Sequence, residues 1–232
     1  MELKILHFSD LHLGMQFSNY GEAAEALKEA RYETLDRLIK IANDENCDLI
    51  VIAGDLFDRV SMKKADVIKA MSSINKFENG HVLILPGNHD FFRNDSNLWR
   101  YVMDAKEEHV TVLAEKTPYQ LEDYDVSATI YPAPCFSKHS SENEIGWINE
   151  SEVGGNTINI GVAHGSLKGV APDLNDEHFP MTREELDIPD INVWLLGHIH
   201  IPWPEKPSPS DKIMYSGIPE PEDMNCTHKG TA

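Results

Sequence analysis

The sequence predicts an α/β protein whose core is built on two sheets. Three observations lead there. Short apolar runs in the first half each end in a turn containing Gly or Asp, amphipathic helical stretches separate them, and the second half is richer in strand-like segments than in helices. With 232 residues, 41% apolar and 25% charged, the chain is long enough to bury a large core as one unit, residues 1–232.

Leu3 to Ser9 alternates and is apolar-rich, Asp48 to Ala53 is almost purely apolar, and His81 to Leu85 is another such run; all three read as buried strands. Between the first two, Glu22 to Asn43 carries Leu27, Ala30, Leu35, Leu38, Ile39, Ile41 and Ala42 at helical spacing, and Lys63 to Phe77 repeats that pattern. Strand, helix, strand, helix, strand implies a largely parallel sheet whose ligand site lies beyond the carboxyl ends of the strands. In the second half, His109 to Ala114, Ser127 to Tyr131, Thr157 to His164, Ile191 to Leu196 and Lys212 to Tyr215 read as extended, with short helices near Ser141 to Asn149 and Thr182 to Leu186. The proline-dense stretch from Pro202 to Ser210 reads as a loop, since proline lacks the N–H that a sheet interior needs. No closing helix follows the turn-like end at Lys229 to Ala232, which points to a trimmed chain or one part of a longer protein.

Composition narrows the function classes. No apolar run approaches the ~20 residues that span a bilayer, and Met1-Glu2-Leu3-Lys4 lacks the layout of a secretion signal. Cys47, Cys135 and Cys226 are odd in number and far apart, so neither a disulfide framework nor a cysteine zinc site is indicated, and a reducing cytoplasm is expected. The formal charge of −19 weighs against a nucleic-acid partner, but unevenly: residues 1–139 hold 15 bases and 23 acids, whereas 140–232 hold 5 and 16. Arg59, Lys63, Lys64, Arg93 and Arg100, all in the first half, form either a phosphate-tracking rim or the solvated faces of helices.

Each expected strand ends in a cluster of metal-ligand types: Asp10-Leu11-His12, Gly54-Asp55-Leu56-Phe57-Asp58, Pro86-Gly87-Asn88-His89-Asp90, Ala163-His164-Gly165 and Gly197-His198-Ile199-His200. Asp-x-His and His-x-His place both side chains on one face of an extended segment. Taken singly, most of these clusters are turns or helix caps; together, in order and each at a strand end, they read as one site. Asp10, His12, Asp55, Asn88, His164, His198 and His200 offer only nitrogen and oxygen donors, too many for one tetrahedral zinc. Two divalent ions sharing a carboxylate would use them all, and the mixed donor set favours manganese first, with iron or zinc as alternatives. Such ions, about 3.5–4 Å apart, lower the pKa of a shared water and generate a hydroxide nucleophile. His89 points away from its neighbour Asn88 at the turn, so it is the candidate catalytic group that stabilises the transition state or protonates the leaving group, with Asp90 steering its ring and Asp58 supporting it or a ligand.

These motifs resemble the calcineurin-like metallophosphoesterases over nearly the whole chain. The stretch Leu6-His7-Phe8-Ser9-Asp10-Leu11-His12-Leu13-Gly14, with Gly54 to Asp58 and Leu196 to His200, is similar within that superfamily to SbcD-type DNA repair nucleases. The resemblance implies a four-layer α/β/β/α sandwich of two mixed sheets. It also implies one ion on Asp10, His12, Asp55 and His200 and another on Asp55, Asn88, His164 and His198, with Asp55 bridging. DNA as substrate, a homodimer and an SbcC-like ATPase partner are further implications. Two departures stand out: nothing here can form the capping domain of those nucleases, and Asp58 occupies a position where some members have histidine. The alternative reading is a stand-alone phosphatase or phosphodiesterase acting on a small phosphoester, a cyclic nucleotide or a phosphoprotein. A metal-bearing scaffold without turnover is the third, disfavoured by the intact His89.

Overall fold

Four strands, β1 (Ile5–Phe8), β2 (Leu49–Ala53), β3 (His81–Leu85) and β4 (Val110–Val112), pair in that order, each parallel to its neighbour. This computed structural model describes residues 3–121, 126–148, 153–154, 158–170, 177–221 and 230–232. The unbroken apolar run of β2 has a simple cause, since both of its faces are covered. Ile50 and Ile52 pack toward a helical layer, while Leu49, Val51 and Ala53 meet a second sheet, and all are fully buried. β3 divides its residues the same way, Val82 and Ile84 outward, Leu83 and Leu85 inward. Each buried aliphatic side chain contributes about 2 kcal/mol.

The helical layer is α1 (Ala24–Asp44), α2 (Lys64–Ile74) and α3 (Asn97–Ala105). The second sheet comprises β5 (Tyr119–Gln120), β6 (Ala128–Ala133), β7 (Ile158–His164), β8 (Val193–Gly197), β9 (Pro202–Trp203) and β10 (Ile213–Ser216), in the order β5-β6-β7-β8-β10-β9. It carries the mixed character, because β5 and β9 run antiparallel to their neighbours at its two edges. Its outer face is covered by α4 (Arg183–Leu186), whose Thr182–Glu185 capping box closes its first turn, and by loop residues Ile145, Ile148, Ile188 and Ile191 against Trp194 and Leu196. The expected α/β/β/α layering is therefore present, with a thin fourth layer.

Three sequence readings need correction. Residues 141–147 form bends and turns rather than a helix, and Ile145 is buried without one. Within Pro202 to Ser210, the first two residues form β9, which proline tolerates because β9 is an edge strand. α3, which no reading placed, is held by a short motif, Leu98, Trp99 and Val102, with Trp99 Nε1 donating to the Asp90 carbonyl at 2.8 Å. Asn149, Cys226, His228 and Lys229 lie outside the described residues. No helix among the described residues is long and apolar enough to cross a membrane.

Candidate metal centre

The loops leaving β1 and β2 run side by side and prolong the strand ladder: Asp10 N–H donates to Gly54 O at 3.1 Å, His12 N–H to Asp55 O at 3.0 Å, and Leu13 bridges Phe57. The two ligand types of Asp10-Leu11-His12 do share a face, but not because the segment is extended. Asp10, His12, Asp55 and His198 all have left-handed backbone, with φ of 55°, 46°, 53° and 92°. Each such residue costs of order 1 kcal/mol, held in place by the surrounding ladder.

The side chains converge at the seam between the sheets. Asp10 Oδ1 lies 3.9 Å from His12 Nε2, 3.9 Å from His164 Nε2 and 3.7 Å from His200 Nε2. Asp55 Oδ2 lies 3.9 Å from His12 Nε2 and 3.3 Å from His164 Nε2. His164 Nδ1–H donates to Ala53 O at 2.8 Å, which turns Nε2 into the cluster, 3.0 Å from Asn88 Oδ1. Asn88 in turn donates its amide to Lys138 O at 3.3 Å, so its oxygen faces the site. His198 sits beside them, its ring centroid 5.4 Å from that of His164 and its backbone N–H donating to Asp10 Oδ2 at 2.9 Å. Two glycines make room: a Cβ at Gly87 would lie 2.2 Å from Asp55 Oδ1, and one at Gly54, where φ is +92°, 2.2 Å from His164 Nδ1.

His89 joins the rim, its ring 4.8 Å from that of His12. Its Nδ1–H donates at 3.0 Å to the backbone carbonyl of Asp58, not to a carboxylate, which leaves Nε2 to face the site. Asp90 does not steer that ring. Its carboxylate accepts from Gly87 N–H at 2.7 Å and Phe57 N–H at 3.0 Å, tying the loops after β2 and β3 together. The Asp58 carboxylate pairs with Arg59 at 3.6 Å.

The electrostatics follow from burying charges together. Burial alone would lower the His164 pKa, but the Asp55 and Asp10 carboxylates push it up to about 9. Burial would raise Asp55, and the His164 and His12 imidazoles instead bring it down to about 2. Asp10 is likewise lowered: against the pull of burial, His164 acts first and His200 and His12 add to it. Burial and the His164 charge bring His198 down to about 4.

Other neighbours escaped the sequence reading. Arg31 is fully buried in α1 and donates to Leu11 O, between Asp10 and His12, at 2.6 Å. Its signal was an arginine midway between Leu27 and Leu35 on the apolar stripe. His178 places its ring 5.1 Å from that of His198. The basic rim has local partners: Arg59 donates to Gly14 O, Arg93 grips Asp95 through both Nε and an amino group, Arg100 donates to Asn97, and Lys64 lies 5.6 Å over the Tyr101 ring.

The residues fit divalent ions. Asp10 Oδ1 is buried without a hydrogen-bond partner while facing three imidazoles, and Asp10–His12–His200 and Asp10–Asp55–His164 each gather ligand atoms within 4.8 Å of one another. Carboxylates, imidazoles and an amide at the carboxyl ends of strands from two sheets define a site able to hold divalent metal ions. The sequence model of the calcineurin-like phosphoesterases matches residues 3–202, and the chain belongs to that family. It is 27% identical over 207 residues, 86% of this chain and 49% of the relative, to the uncharacterized metallophosphoesterase YhaO of Bacillus subtilis. Identity to the DNA double-strand break repair protein Mre11 of Methanopyrus kandleri is 24%, covering 94% of this chain and 49% of that one. Identity to the SbcD subunit of the SbcCD nuclease of Escherichia coli K12 is 38%, but over 90 residues, 38% of this chain and 21% of that one. The chain thus spans about half the length of the first two of these relatives, 49% of each. The crystal structure of TT1561 from Thermus thermophilus shares the fold, with a TM-score of 0.55 and 12% identity, covering 93% of this chain and 90% of that one.

Proposed function

We propose that this chain is a dinuclear metal-dependent nuclease that hydrolyses DNA phosphodiester bonds. The observation that carries the two-ion reading is the Asp55 carboxylate, whose Oδ2 faces His12 from one sheet and His164 from the other. One ion is assigned to Asp10, His12, Asp55 and His200, the other to Asp55, Asn88, His164 and His198, with manganese preferred for both. When bound, such ions activate water and neutralise charge on the phosphoryl oxygens.

The remaining work falls to side chains. Asn88, oriented by the Lys138 carbonyl, and His164, oriented by the Ala53 carbonyl, hold fixed positions against the substrate side of the cluster. His89, held through Nδ1, presents Nε2 to the leaving oxygen and gives it a proton. The DNA substrate rests on relatives named as a break-repair protein and a nuclease subunit. An SbcC-like ATPase and a second copy of the chain are proposed as partners on the same resemblance. Buried, unpaired Cys47 and Cys135 suit a cytoplasmic setting.

The test is manganese-loaded protein assayed in parallel on single- and double-stranded DNA, a chromogenic phosphodiester and a phosphomonoester. Cleavage of DNA and of the diester is expected. Turnover of the monoester alone would replace the nuclease reading with a phosphatase one.

A further inference from the structure

The seven ligand-type residues are not equally secured. Asp10, His12, Asp55, His164 and His200 fall into groups whose ligand atoms lie within 4.8 Å of one another. His198 belongs to none of these groups, although the two-ion reading needs it. Its backbone is fully committed, with φ at 92° and the N–H donated to Asp10 Oδ2 at 2.9 Å, but that fixes only where the side chain starts. The half-buried ring is placed by the rings on either side: His164 at 5.4 Å and 70°, and His178 at 5.1 Å and 35°.

His178 is built for that place. Its carbonyl accepts Ser166 N–H at 2.9 Å, Phe179 N–H donates to Ser140 O at 3.0 Å, and Ser140 N–H donates to Glu177 O at 2.9 Å. The segment presses so closely on the residue after His164 that a Cβ at Gly165 would lie 2.4 Å from Phe179 O and 3.0 Å from His178 O. His178 is therefore laced to the same end of β7 that delivers His164, and the two rings bracket His198 from one rigid base. The ring of His139 follows at 5.5 Å from His178, on the exposed side.

We infer that His178 is a positioning residue, which holds the His198 ring in the cluster and so sets the affinity of the second ion. The inference rests on the two-ion reading of the site. Residues that orient a ligand from behind are worth about 10- to 100-fold in metal affinity, and that is the loss expected here.

Manganese titrated calorimetrically into the chelator-treated protein tests it. Wild type should bind two ions. His178→Ala should bind the first as wild type does and the second at least tenfold more weakly, with loss of the exchange-coupled manganese resonance signal of a paired site. His178→Phe, which keeps a ring against His198, should recover most of the second affinity. A purely structural role would lower the melting temperature of His178→Ala and leave both ions bound as before, and that result overturns the inference. Should the alanine variant fail to fold, His178→Gln, which keeps polarity and drops the ring, is read by the same criteria. Fewer than two ions on wild type would overturn the two-ion reading and this inference with it; a second ion bound as tightly by His178→Ala as by wild type would overturn this inference alone.

Discussion

The Asp55 carboxylate lies 3.3 Å from His164 Nε2, across the seam between the two sheets. Asp55 leaves β2 of the first sheet and His164 ends β7 of the second, so their contact exists only once both sheets have formed and packed. The same carboxylate faces His12 at 3.9 Å and accepts His89 N–H at 2.8 Å through its other oxygen. Removing it should empty the site, whereas removing the His89 side chain should not.

Asp55→Ala is accordingly expected to purify without bound metal and without activity. His89→Ala should retain both ions while turnover falls by about 10²- to 10⁴-fold, the usual worth of a general acid. Metal content by mass spectrometry and the steady-state rate, taken on the same samples, check the division. A metal-free His89→Ala would make His89 a ligand, since it also lies in a group with His12 and Asp55.

Gly87→Ala should disturb the same carboxylate from the backbone side. Its Cβ would meet Asp55 Oδ1 at 2.2 Å and Asp55 N at 2.4 Å, and the second contact cannot be relieved by turning a side chain. A loss of about 2–3 kcal/mol in urea unfolding is expected. Gly146→Ala is the control, because nothing lies within 4 Å of its added methyl, and it should stay within about 0.5 kcal/mol of wild type.

Acid stability should depend on a histidine remote from the metal cluster. His81 opens β3, is fully buried and shares a hydrogen bond with Thr111 Oγ1 at 2.8 Å. Burial first, then His109 and Lys106, bring its pKa down from 6.5 to about 4. Between those values the unfolded chain binds a proton that the folded protein refuses. The stability His81 permits is thus complete above pH 6.5 and falls away as the pH drops to about 4, by up to about 3 kcal/mol. Urea unfolding of metal-free His81→Leu between pH 4 and 7 should be less steep in pH than wild type by about one proton; parallel curves would contradict the assignment.

Much of this was legible in the sequence. Strands such as His81–Leu85 are readable because a strand covered on both faces has only apolar positions, and ligand types recur where such runs stop. The Asp10 and His12 side chains do lie together, but not through the extended backbone the spacing suggests, because left-handed backbone at two non-glycine residues has no sequence signature. The partner of Asp90 was misjudged since a carboxylate can serve two N–H groups of distant loops as readily as a neighbouring imidazole, and Asp58 supports His89 through its backbone carbonyl, not its carboxylate. His178 was invisible for a related reason. It follows no strand, and only the lacing of its segment to Ser140 and Ser166 carries it to His198.

The acidic balance of the chain supplies the last prediction. If DNA is the substrate, it must be met by the few bases of the first half, and most of these have local partners. Arg93 is neutralised by Asp95 at 2.8 Å and Arg59 lies 3.6 Å from Asp58. Lys63, at the N-cap position of α2, and Lys64 beside it make no ion pair with an acid among the described residues, so they are the groups most able to exchange a counterion for phosphate. Lys63→Glu with Lys64→Glu should therefore weaken DNA binding at least tenfold at low salt and lower the salt slope by about two. Hydrolysis of a small chromogenic diester should be unchanged, since neither lysine touches the metal cluster. Binding measured by fluorescence anisotropy across a salt series decides it, and an unaltered slope would place the DNA track elsewhere on the molecule.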